Sequence, residues 1–271
     1  MEEKVLEESE EMKIRIQKDL YTNPKYYDLA FCSFRDTKHE VDVIEEYIHR
    51  YSRIPVKRVL EIACGPSPNL KELVQRGYEY KGLDINESMI NYIRNKYNLL
   101  RDKTIFIVAD MRNFSIEMEA DLVFLMGGSL FGRNNQDILA NFSCVANSLK
   151  IGGLYLLDSC VEFNYNNEED NTEWTLENNK SKIKARISSK AIDKVNQLWE
   201  YRLNVDVQEK GKEMHFESAD ITKVIFPQEF LLLIEKTKKF EFVGWWNNWD
   251  VNEPIEKAKK IERPLILVRR I

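Results

Sequence analysis

The chain has little of what disulfide frameworks, redox centres and metal sites require. Its 271 residues include four cysteines and three histidines. No two cysteines have the CxxC spacing of a metal or redox site, and His39, His49 and His215 are scattered along the chain. We therefore expect no metal centre, and we expect the cysteines in apolar surroundings to be buried packing residues.

Long apolar runs and an excess of basic charge are also lacking. No apolar segment approaches the roughly 20 residues that a membrane-spanning helix needs, and the opening Met-Glu-Glu-Lys does not resemble a signal peptide. Lys and Arg total 40 against 45 Asp and Glu, a formal net charge of −5. A nucleic-acid partner would require a clustered basic face. These features predict a cytoplasmic protein that binds neither membranes nor nucleic acids.

What the sequence does contain is a regular alternation of apolar strands and helices. Apolar residues make up 43% of the chain, enough for one large core. Alternation at this spacing is typical of a parallel α/β sheet with helices on both faces. The predicted strands span 57–63, 79–84, 103–108, 120–126 and 153–158, and the helices between them span 67–76, 87–98 and 134–149.

The pattern changes after Asp158. Residues 161–173 are rich in Asn and Glu, which predicts an exposed loop. Strand-like segments follow, with a hairpin signal at Lys210-Gly211-Lys212, and predict a small antiparallel sheet inserted into the α/β domain. These segments lie around 183–187, 198–208 and 215–224.

Further helices and strands complete the predicted organisation. The helices span 1–20, 38–51 and 228–238, and the last two strands span 240–246 and 264–270. We therefore divide the chain into N-terminal helices with the α/β core (1–160), the inserted sheet as a lid or dimer surface (161–226), and the last helix and strands of the core (227–271).

The most informative segment is the first strand of the core and the turn after it. Val59-Leu60-Glu61-Ile62 runs into Ala63-Cys64-Gly65-Pro66. A tight turn between a strand and a helix lets backbone N–H groups approach a ligand closely. A dinucleotide fingerprint would continue with further glycines, but Pro66-Ser67-Pro68 stands here. The turn indicates a nucleotide-like ligand and argues against NAD.

Carboxylates lie near the ends of three successive predicted strands, at Glu61, Asp84 and Asp110. Asp84 is placed where a ribose would present its hydroxyls. Its alternative role is to cap the helix that follows, although Asn86 is better suited to that. Asp110 and Met111 together offer a carboxylate for an exocyclic amine and an apolar side chain for a base. The alternative for Asp110 is a polar loop cap.

The order of these motifs resembles that of class I S-adenosylmethionine-dependent methyltransferases, most clearly over residues 26–160. Tyr26-Tyr27-Asp28 is similar to a lead-in of small-molecule methyltransferases that act on amino sugars and amines, although both tyrosines could instead pack on the core. The resemblance implies S-adenosylmethionine as cofactor. It also implies a seven-stranded, mostly parallel, doubly wound α/β sheet with an antiparallel last strand.

The resemblance also implies which residues hold the cofactor. Asp84 would take the ribose hydroxyls, and the family usually has glycines where this chain has Ala63 and Ser67. The adenine contacts would be Ile85, Met89, Asp110 and Met111. The contacts to the methionine moiety would be Glu61, Ala63, Gly65, Met126 and Gly127, with Tyr27 and Arg35 near its carboxylate.

The acceptor of the methyl group must arrive at the same sheet edge. Strand six, if parallel, would end there with a cluster of tryptophans and amides, for which the alternative is packing of the final hairpin. Trp199 and Arg202 could close the pocket from the inserted sheet, or simply belong to ordinary sheet faces. The predicted acceptor-binding residues are Ser129, Phe131, Asp158, Trp199, Arg202, Trp246 and Asn248, and the candidate bases are Asp158, His215 and Asp250.

The predicted function is methyl transfer from S-adenosylmethionine to a small-molecule acceptor. The preference for a nitrogen acceptor rests on the resemblance alone. Positioning and exclusion of water would supply most of the catalysis. The alternatives are a non-catalytic module that binds the cofactor, a nicotinamide-dependent oxidoreductase, and a methyltransferase with a peptide, protein or oxygen acceptor. A homodimer through the inserted sheet is a further expectation.

Overall fold

The computed structural model describes residues 17–164, 169–177 and 181–271, which form two β-sheets and the helices around them. The helices are α1 (Pro24–Phe31), α2 (Thr37–Tyr51), α3 (Leu70–Gln75), α4 (Glu87–Lys96), α5 (Asn135–Ser148) and α6 (Pro227–Thr237), with 3₁₀ turns at Asn98–Lys103 and Ile255–Lys257. The strands are β1 (Gln17–Asp19), β2 (Arg58–Ile62), β3 (Glu79–Asp84), β4 (Thr104–Val108), β5 (Ala120–Leu125), β6 (Leu149–Asp158), β7 (Glu169–Glu177), β8 (Ser181–Asp193), β9 (Leu198–Glu209), β10 (Lys212–Lys223), β11 (Phe240–Asn247), β12 (Asp250–Pro254) and β13 (Pro264–Arg270). Within these ranges, no helix combines the length and apolar character needed to cross a membrane.

The larger sheet has the strand order β12-β11-β13-β6-β5-β2-β3-β4. The strands from β4 to β6 in this order are parallel, and β13 is antiparallel to both of its neighbours. This confirms the predicted mostly parallel sheet with an antiparallel last strand, and the short β12 extends it beyond seven strands. Strands covered on both faces need apolar residues throughout, and every residue of β5 is buried.

Helices cover both faces of this sheet. On one face, α5 and α6 pack through Phe142 and Phe230 in a cluster that includes Ile62. On the other face, α2 packs through Ile44 in a cluster that includes Val59. Successive residues of a strand point to opposite faces, so both sides of β2 are used for packing. Only the ends of the strands are left for a ligand.

The inserted sheet leaves the core after β6 and returns to it before α6. Strands β7 to β10 form an antiparallel meander, with the predicted hairpin at Lys210-Gly211 joining β9 and β10. One side of this sheet, which we call the inner face, carries Val205 and Phe216 and packs against Tyr26 and Ala30 of α1. The opposite side is called the outer face.

Two predicted segments differ in the structure. Residues 169–173, predicted as loop, belong to β7, whose positions are mostly exposed because β7 lies at the sheet edge. An exposed edge strand lacks the apolar alternation by which strands are recognised. The helix predicted over 1–20 falls largely outside the described residues, and residues 17–19 form β1, which pairs in parallel with β10.

The inserted sheet meets the carboxyl edge of the main sheet at one end. The N–H of Gly132, in the loop after β5, donates to Thr222 Oγ1 at 3.1 Å. The carbonyl of Gly132 accepts the N–H of Lys223 at 2.7 Å. At the base of the insertion, the N–H of Glu162 donates to the carbonyl of Ile225 at 2.9 Å. These contacts bring the inner face to the strand ends where a ligand is predicted.

Candidate functional site

The turn after β2 lies at the carboxyl edge of the main sheet. Ala63, Gly65 and Ser67 have left-handed φ angles of 50°, 48° and 44°. Glycine adopts this conformation freely, whereas alanine and serine adopt it at a cost of about 1 kcal/mol each. A Cβ added at Gly65 would meet nothing within 4 Å. The turn therefore keeps its shape with a single glycine and faces open space.

Asp84, the last residue of β3, is buried beside this turn. Its Oδ2 accepts the N–H of Gly65 and its Oδ1 accepts the N–H of Asn86, each at 2.8 Å. Burial raises the pKa of Asp84, and these backbone donors oppose that shift. Asn86 caps α4 by accepting the N–H groups of Ser88 and Met89, so the capping role belongs to Asn86. A carboxylate has about four acceptor positions, so Asp84 keeps acceptor capacity for a ligand hydroxyl group besides its backbone donors.

The residues predicted to contact adenine lie along the same edge at different depths. Ile85 is 68% exposed, whereas Met89 is 2% exposed and lies beneath the surface. Met111 is half-buried. Arg112 donates to both carboxylate oxygens of Asp110, with Nη2 2.6 Å from Oδ2, and lowers the pKa of Asp110. Ile85 and Asp110 thus present an apolar surface and a carboxylate next to Asp84.

Glu61 supports the turn from inside the protein. Its side chain is 2% exposed, and Oε2 accepts hydrogen bonds from Ser67 Oγ at 2.6 Å and Tyr80 Oη at 2.5 Å. Burial raises the pKa of Glu61 to about 7, although these two donors and the nearby Arg35 oppose the shift. The carboxylate therefore holds the turn in place, and it is Gly65 that faces the open space.

Tyr27 and Arg35 reach the site from α1 and the segment after it. Burial raises the pKa of Tyr27, and the charges of Cys32 and Asp84 add to this. Arg35 donates to Glu40 through Nε at 2.9 Å and Nη2 at 2.5 Å. A guanidinium has five N–H donors, so Arg35 can bind a second carboxylate while it holds Glu40.

The turn after β5 forms the next part of the edge. Gly127 and Gly128 have φ angles of 64° and 70°. The N–H of Gly127 donates to Asp158 Oδ2 at 2.8 Å. Asp158 is fully buried, and Arg263 donates to both of its oxygens, at 2.9 and 2.7 Å. Asp158 is therefore a paired anion that holds the turn, which is a different environment from that of a solvent-facing base.

Three of the predicted acceptor-binding residues come together where the two sheets meet. Ser129 and Phe131 lie in the loop that continues to Gly132. Trp199 is the cross-strand partner of Thr222, and both residues lie on the inner face. Thr222 in turn contacts Gly132. The structure thus places Ser129, Phe131 and Trp199 near the contact between Gly132 and Thr222, where the two sheets meet.

Trp246 and Arg202 are placed elsewhere, which corrects the expectation that they line the acceptor pocket. Trp246 is 6% exposed and packs beneath α2, with its ring 4.9 Å from that of Tyr47. It points into a helical layer because alternate residues of β11 face opposite sides of the sheet. Arg202 lies on the outer face, where it pairs with Glu200 and Glu217.

The remaining candidates are engaged in local contacts. Asn248 is exposed in the turn between β11 and β12 and donates to Glu262 at 3.1 Å. Asp250 accepts the N–H of Asn252 in the same hairpin. His215 Nδ1 lies 2.8 Å from a carboxylate oxygen of Asp206, on the outer face. Neither Asp250 nor His215 joins the group of residues around Asp84 and Gly127.

Three residues that the sequence analysis did not single out face the junction of the sheets. Tyr201 follows Trp199 by two residues on the inner face, and its cross-strand partner is Asp220. Burial raises the pKa of Tyr21 and the charge of Asp220 adds to the shift, and the ring of Tyr21 lies 5.7 Å from that of Tyr27. Burial and two nearby carboxylates raise the pKa of Tyr201 to about 12. Tyr201 could have been identified from the sequence, because residues two apart in a strand share a face and Trp199 was already a candidate. No sequence motif pointed to Tyr21.

Comparison with known sequences finds matches to part of the chain. A family model described as a methyltransferase domain matches residues 59–153, from β2 into β6. A putative methyltransferase of Bacillus subtilis (strain 168), YqeM, is 28% identical over 103 residues. The match covers 37% of this chain and 41% of that protein, so the chain matches less than half of the length of this relative.

Solved structures are similar over most of the chain. An S-adenosylmethionine-dependent methyltransferase from Clostridium acetobutylicum ATCC 824 has a TM-score of 0.75 at 18% identity, over 92% of this chain and 98% of that one. CalS10, an amino pentose methyltransferase from Micromonospora echinaspora, has a TM-score of 0.70 at 14% identity, over 90% and 96%. The sugar N-methyltransferase KedS8 from Streptoalloteichus sp ATCC 53650 has 0.71 at 16%, over 90% and 92%. At these identities the similarity establishes the fold, and its coverage includes most of the inserted sheet.

Proposed function

We propose that this chain, by its fold and its matched domain an S-adenosylmethionine-dependent class I methyltransferase, acts on a small molecule. We further propose that it transfers the methyl group to a nitrogen atom of that molecule. The cofactor assignment rests on the position and the hydrogen bonds of Asp84. Asp84 ends β3 beside a left-handed turn, with its carboxylate held by backbone N–H groups that include those of Gly65 and Asn86, and it keeps acceptor capacity for a ligand. This is a fixed acceptor for a ligand hydroxyl group.

The surroundings of Asp84 fit the rest of the cofactor. Ile85 offers an exposed apolar surface for a purine, and Asp110 offers a carboxylate for its amine. At the other end, Gly65 and Gly127 both face space in which a Cβ would meet nothing within 4 Å. Arg35 would hold the carboxylate of the methionine moiety. These residues form one edge from adenine to methionine in the order that the cofactor requires.

The cofactor, when bound, supplies a methyl group activated by a positively charged sulfur. The task left to the protein is to hold the acceptor in line with that methyl group and to exclude water. The loop with Ser129 and Phe131 forms one wall of the acceptor space, and the inner face with Trp199 and Tyr201 forms the other. Aromatic walls of this kind suit a compact organic acceptor better than an extended chain.

A nitrogen acceptor is favoured by the environment of the candidate bases. A hydroxyl acceptor must give up a proton to a base, whereas an amine needs only to arrive unprotonated. Asp158 is paired with Arg263, and His215 lies on the outer face beside Asp206. The similarity to the sugar N-methyltransferase KedS8 and to the amino pentose methyltransferase CalS10 supports the same choice.

The cofactor assignment is tested with Asp84→Ala and a matched control at the opposite sheet edge. Asp121 is also buried and also accepts two backbone N–H groups, from Lys57 and Arg58, at 2.9 and 2.8 Å. We expect Asp84→Ala to lower the affinity for S-adenosylhomocysteine about 100-fold, as loss of charge-assisted hydrogen bonds worth about 3 kcal/mol implies. Asp121→Ala should lower stability and leave the affinity unchanged, as measured by calorimetry.

The acceptor is tested by mass spectrometry with amino sugars, simple amines and their hydroxyl analogues. The proposal predicts methylated products from amines and none from the matched alcohols. In a competition experiment with NAD, failure of the wild-type protein to bind S-adenosylmethionine would contradict the cofactor assignment. Tight binding with no turnover on any acceptor would favour a non-catalytic module instead.

A further inference from the structure

Arg263 lies in the segment that leads into β13, outside every motif that indicated the cofactor. Its Nε donates to Asp158 Oδ1 at 2.9 Å and its Nη2 donates to Asp158 Oδ2 at 2.7 Å. This bidentate pairing fixes the orientation of the carboxylate as well as its charge. Asp158 is fully buried, so its pairing with Arg263 replaces the contacts with water that its carboxylate lacks.

Asp158 in turn holds the turn after β5 at two points. Its side chain accepts the N–H of Gly127 at 2.8 Å, and its main-chain carbonyl accepts the N–H of Gly128 at 2.8 Å. Both glycines have left-handed φ angles, so hydrogen bonds are needed to keep this turn in one of the several conformations open to glycine. The position of the turn therefore depends on the position of Asp158.

Arg263 is itself fixed from a third direction. Its Nη1 lies 3.6 Å from Glu40 of α2, and its guanidinium lies 5.3 Å from the ring centre of Trp249. Glu40 is buried and is bound bidentately by Arg35, which is near the predicted methionine carboxylate. Two cations and two anions thus connect α2, the end of β6 and the turn after β5.

We propose that Arg263 is a positioning residue for the methionine end of the cofactor. It acts through Asp158 on the turn at Gly127 and Gly128, and it requires no contact with the cofactor. The proposal rests on the proposed function, because it assumes that the space in front of Gly127 receives the methionine moiety. It predicts that a change at Arg263 affects ligands that carry this moiety and spares ligands that lack it.

The test compares Arg263→Met with Arg269→Met. Arg269 belongs to the same region of chain, pairs with Glu241 at 2.5 Å and donates to the carbonyl of Tyr51, at the far end of β13. We expect Arg263→Met to weaken S-adenosylhomocysteine binding by about tenfold or more, because small misplacements of a site have effects of this size. Adenosine, which lacks the methionine moiety, should bind both variants and the wild-type protein equally. Calorimetry gives all of these affinities.

Arg263→Lys keeps the charge but can make only part of the bidentate pairing, so it should restore part of the lost affinity. It also provides a folded variant if Arg263→Met does not fold. Equal weakening of S-adenosylhomocysteine and adenosine, or unchanged binding of both in each Arg263 variant, would overturn the positioning role. Failure of the wild-type protein to bind S-adenosylhomocysteine would instead overturn the proposed function.

Discussion

Glu61 is a buried acid whose neighbours determine the shape of the cofactor turn. It accepts hydrogen bonds from Ser67 and Tyr80, with Arg35 and Glu40 as the nearby charges. Its pKa, about 7 in the folded protein against a reference value of 4.5, implies that folding favours the protonated acid. The stability that this proton provides is fully present below pH 4.5, and it is lost as the pH rises through 7.

We therefore predict that Glu61→Gln flattens the pH dependence of stability. The shift corresponds to about 3 kcal/mol, most of which is lost between pH 5 and pH 8. The free energy of unfolding of the wild-type protein should fall over this interval by about 2–3 kcal/mol more than that of the variant. Urea unfolding of both proteins at several pH values measures this. Parallel pH profiles would show that Glu61 does not titrate in this range.

The same turn shows how far single residues could be predicted from the sequence. The position of Asp84 at the end of a strand was predictable, because apolar runs and turn residues locate strand ends. The backbone shape was not, since Ala63 and Ser67 stand where the family has glycine, yet both adopt left-handed φ angles. Ser67 stays in that conformation because its hydroxyl binds Glu61, a contact that only the folded structure reveals.

At the scale of elements, β11 shows why a cluster of similar residues need not share a role. Trp245 and Trp246 are neighbours in the strand and therefore point to opposite faces of the sheet. Trp246 packs beneath α2, and its ring covers Gly244, where a Cβ would lie only 2.8 Å from a ring carbon. Trp245 packs against Phe163 on the other side. The sequence predicted the strand and its direction, but not which tryptophan enters the core.

We predict that Trp246→Ala destabilises the protein by about 3–5 kcal/mol, as expected for loss of a large aromatic residue from a packed core. The affinity for S-adenosylhomocysteine should not change in the fraction that remains folded. Trp245→Ala should cost less stability, since Trp245 is only partly buried and its Nε1 donates to Glu256 near the surface. Chemical denaturation and calorimetry at low temperature test both statements. A loss of affinity in the folded Trp246→Ala variant would instead show that Trp246 contributes to the binding site.

Strand alternation also explains the outcome for the inserted sheet. Trp199 and Arg202 are three residues apart, so in a continuous strand they cannot occupy the same face. Only one of them could line the pocket, and the sequence did not show which face of β9 is turned inward. That is decided by α1, which packs against Phe216 and Val205 and so selects the inner face.

At the scale of the whole molecule, the proposed site lies between two sheets to which we assign different roles. In our proposal, the main sheet supplies the cofactor edge from its strand ends, and the inserted sheet supplies the aromatic inner face. The first could be predicted because its motifs are local. The second depends on contacts between distant segments, such as that of Gly132 with Thr222 and that of Tyr21 with Asp220.

This arrangement predicts opposite outcomes for two adjacent residues of β9. Tyr201→Ala should raise the KM for the acceptor severalfold, because Tyr201 lies on the inner face, while the KM for S-adenosylmethionine should change little. Arg202→Ala should change neither constant, because its side chain pairs with Glu200 and Glu217 on the outer face, and solvent-exposed ion pairs contribute little. Steady-state kinetics with the best amine substrate tests both. A larger effect of Arg202→Ala than of Tyr201→Ala would contradict the assignment of the faces.

The hydrogen bond between Glu162 and Ile225 affects how the sequence of this protein can evolve. It closes the base of the insertion, so the chain leaves the core and re-enters it at nearly the same point. The strands between these two residues can vary in length and sequence while this base is kept, provided that the contacts of Thr222 and Lys223 with Gly132 are kept as well. The proposed methyl donor site and the proposed acceptor wall lie on different sheets, so they can evolve separately as long as these connecting contacts persist. Exchange of the segment between residues 162 and 225 with that of a relative is therefore a route to a new acceptor on an unchanged cofactor site.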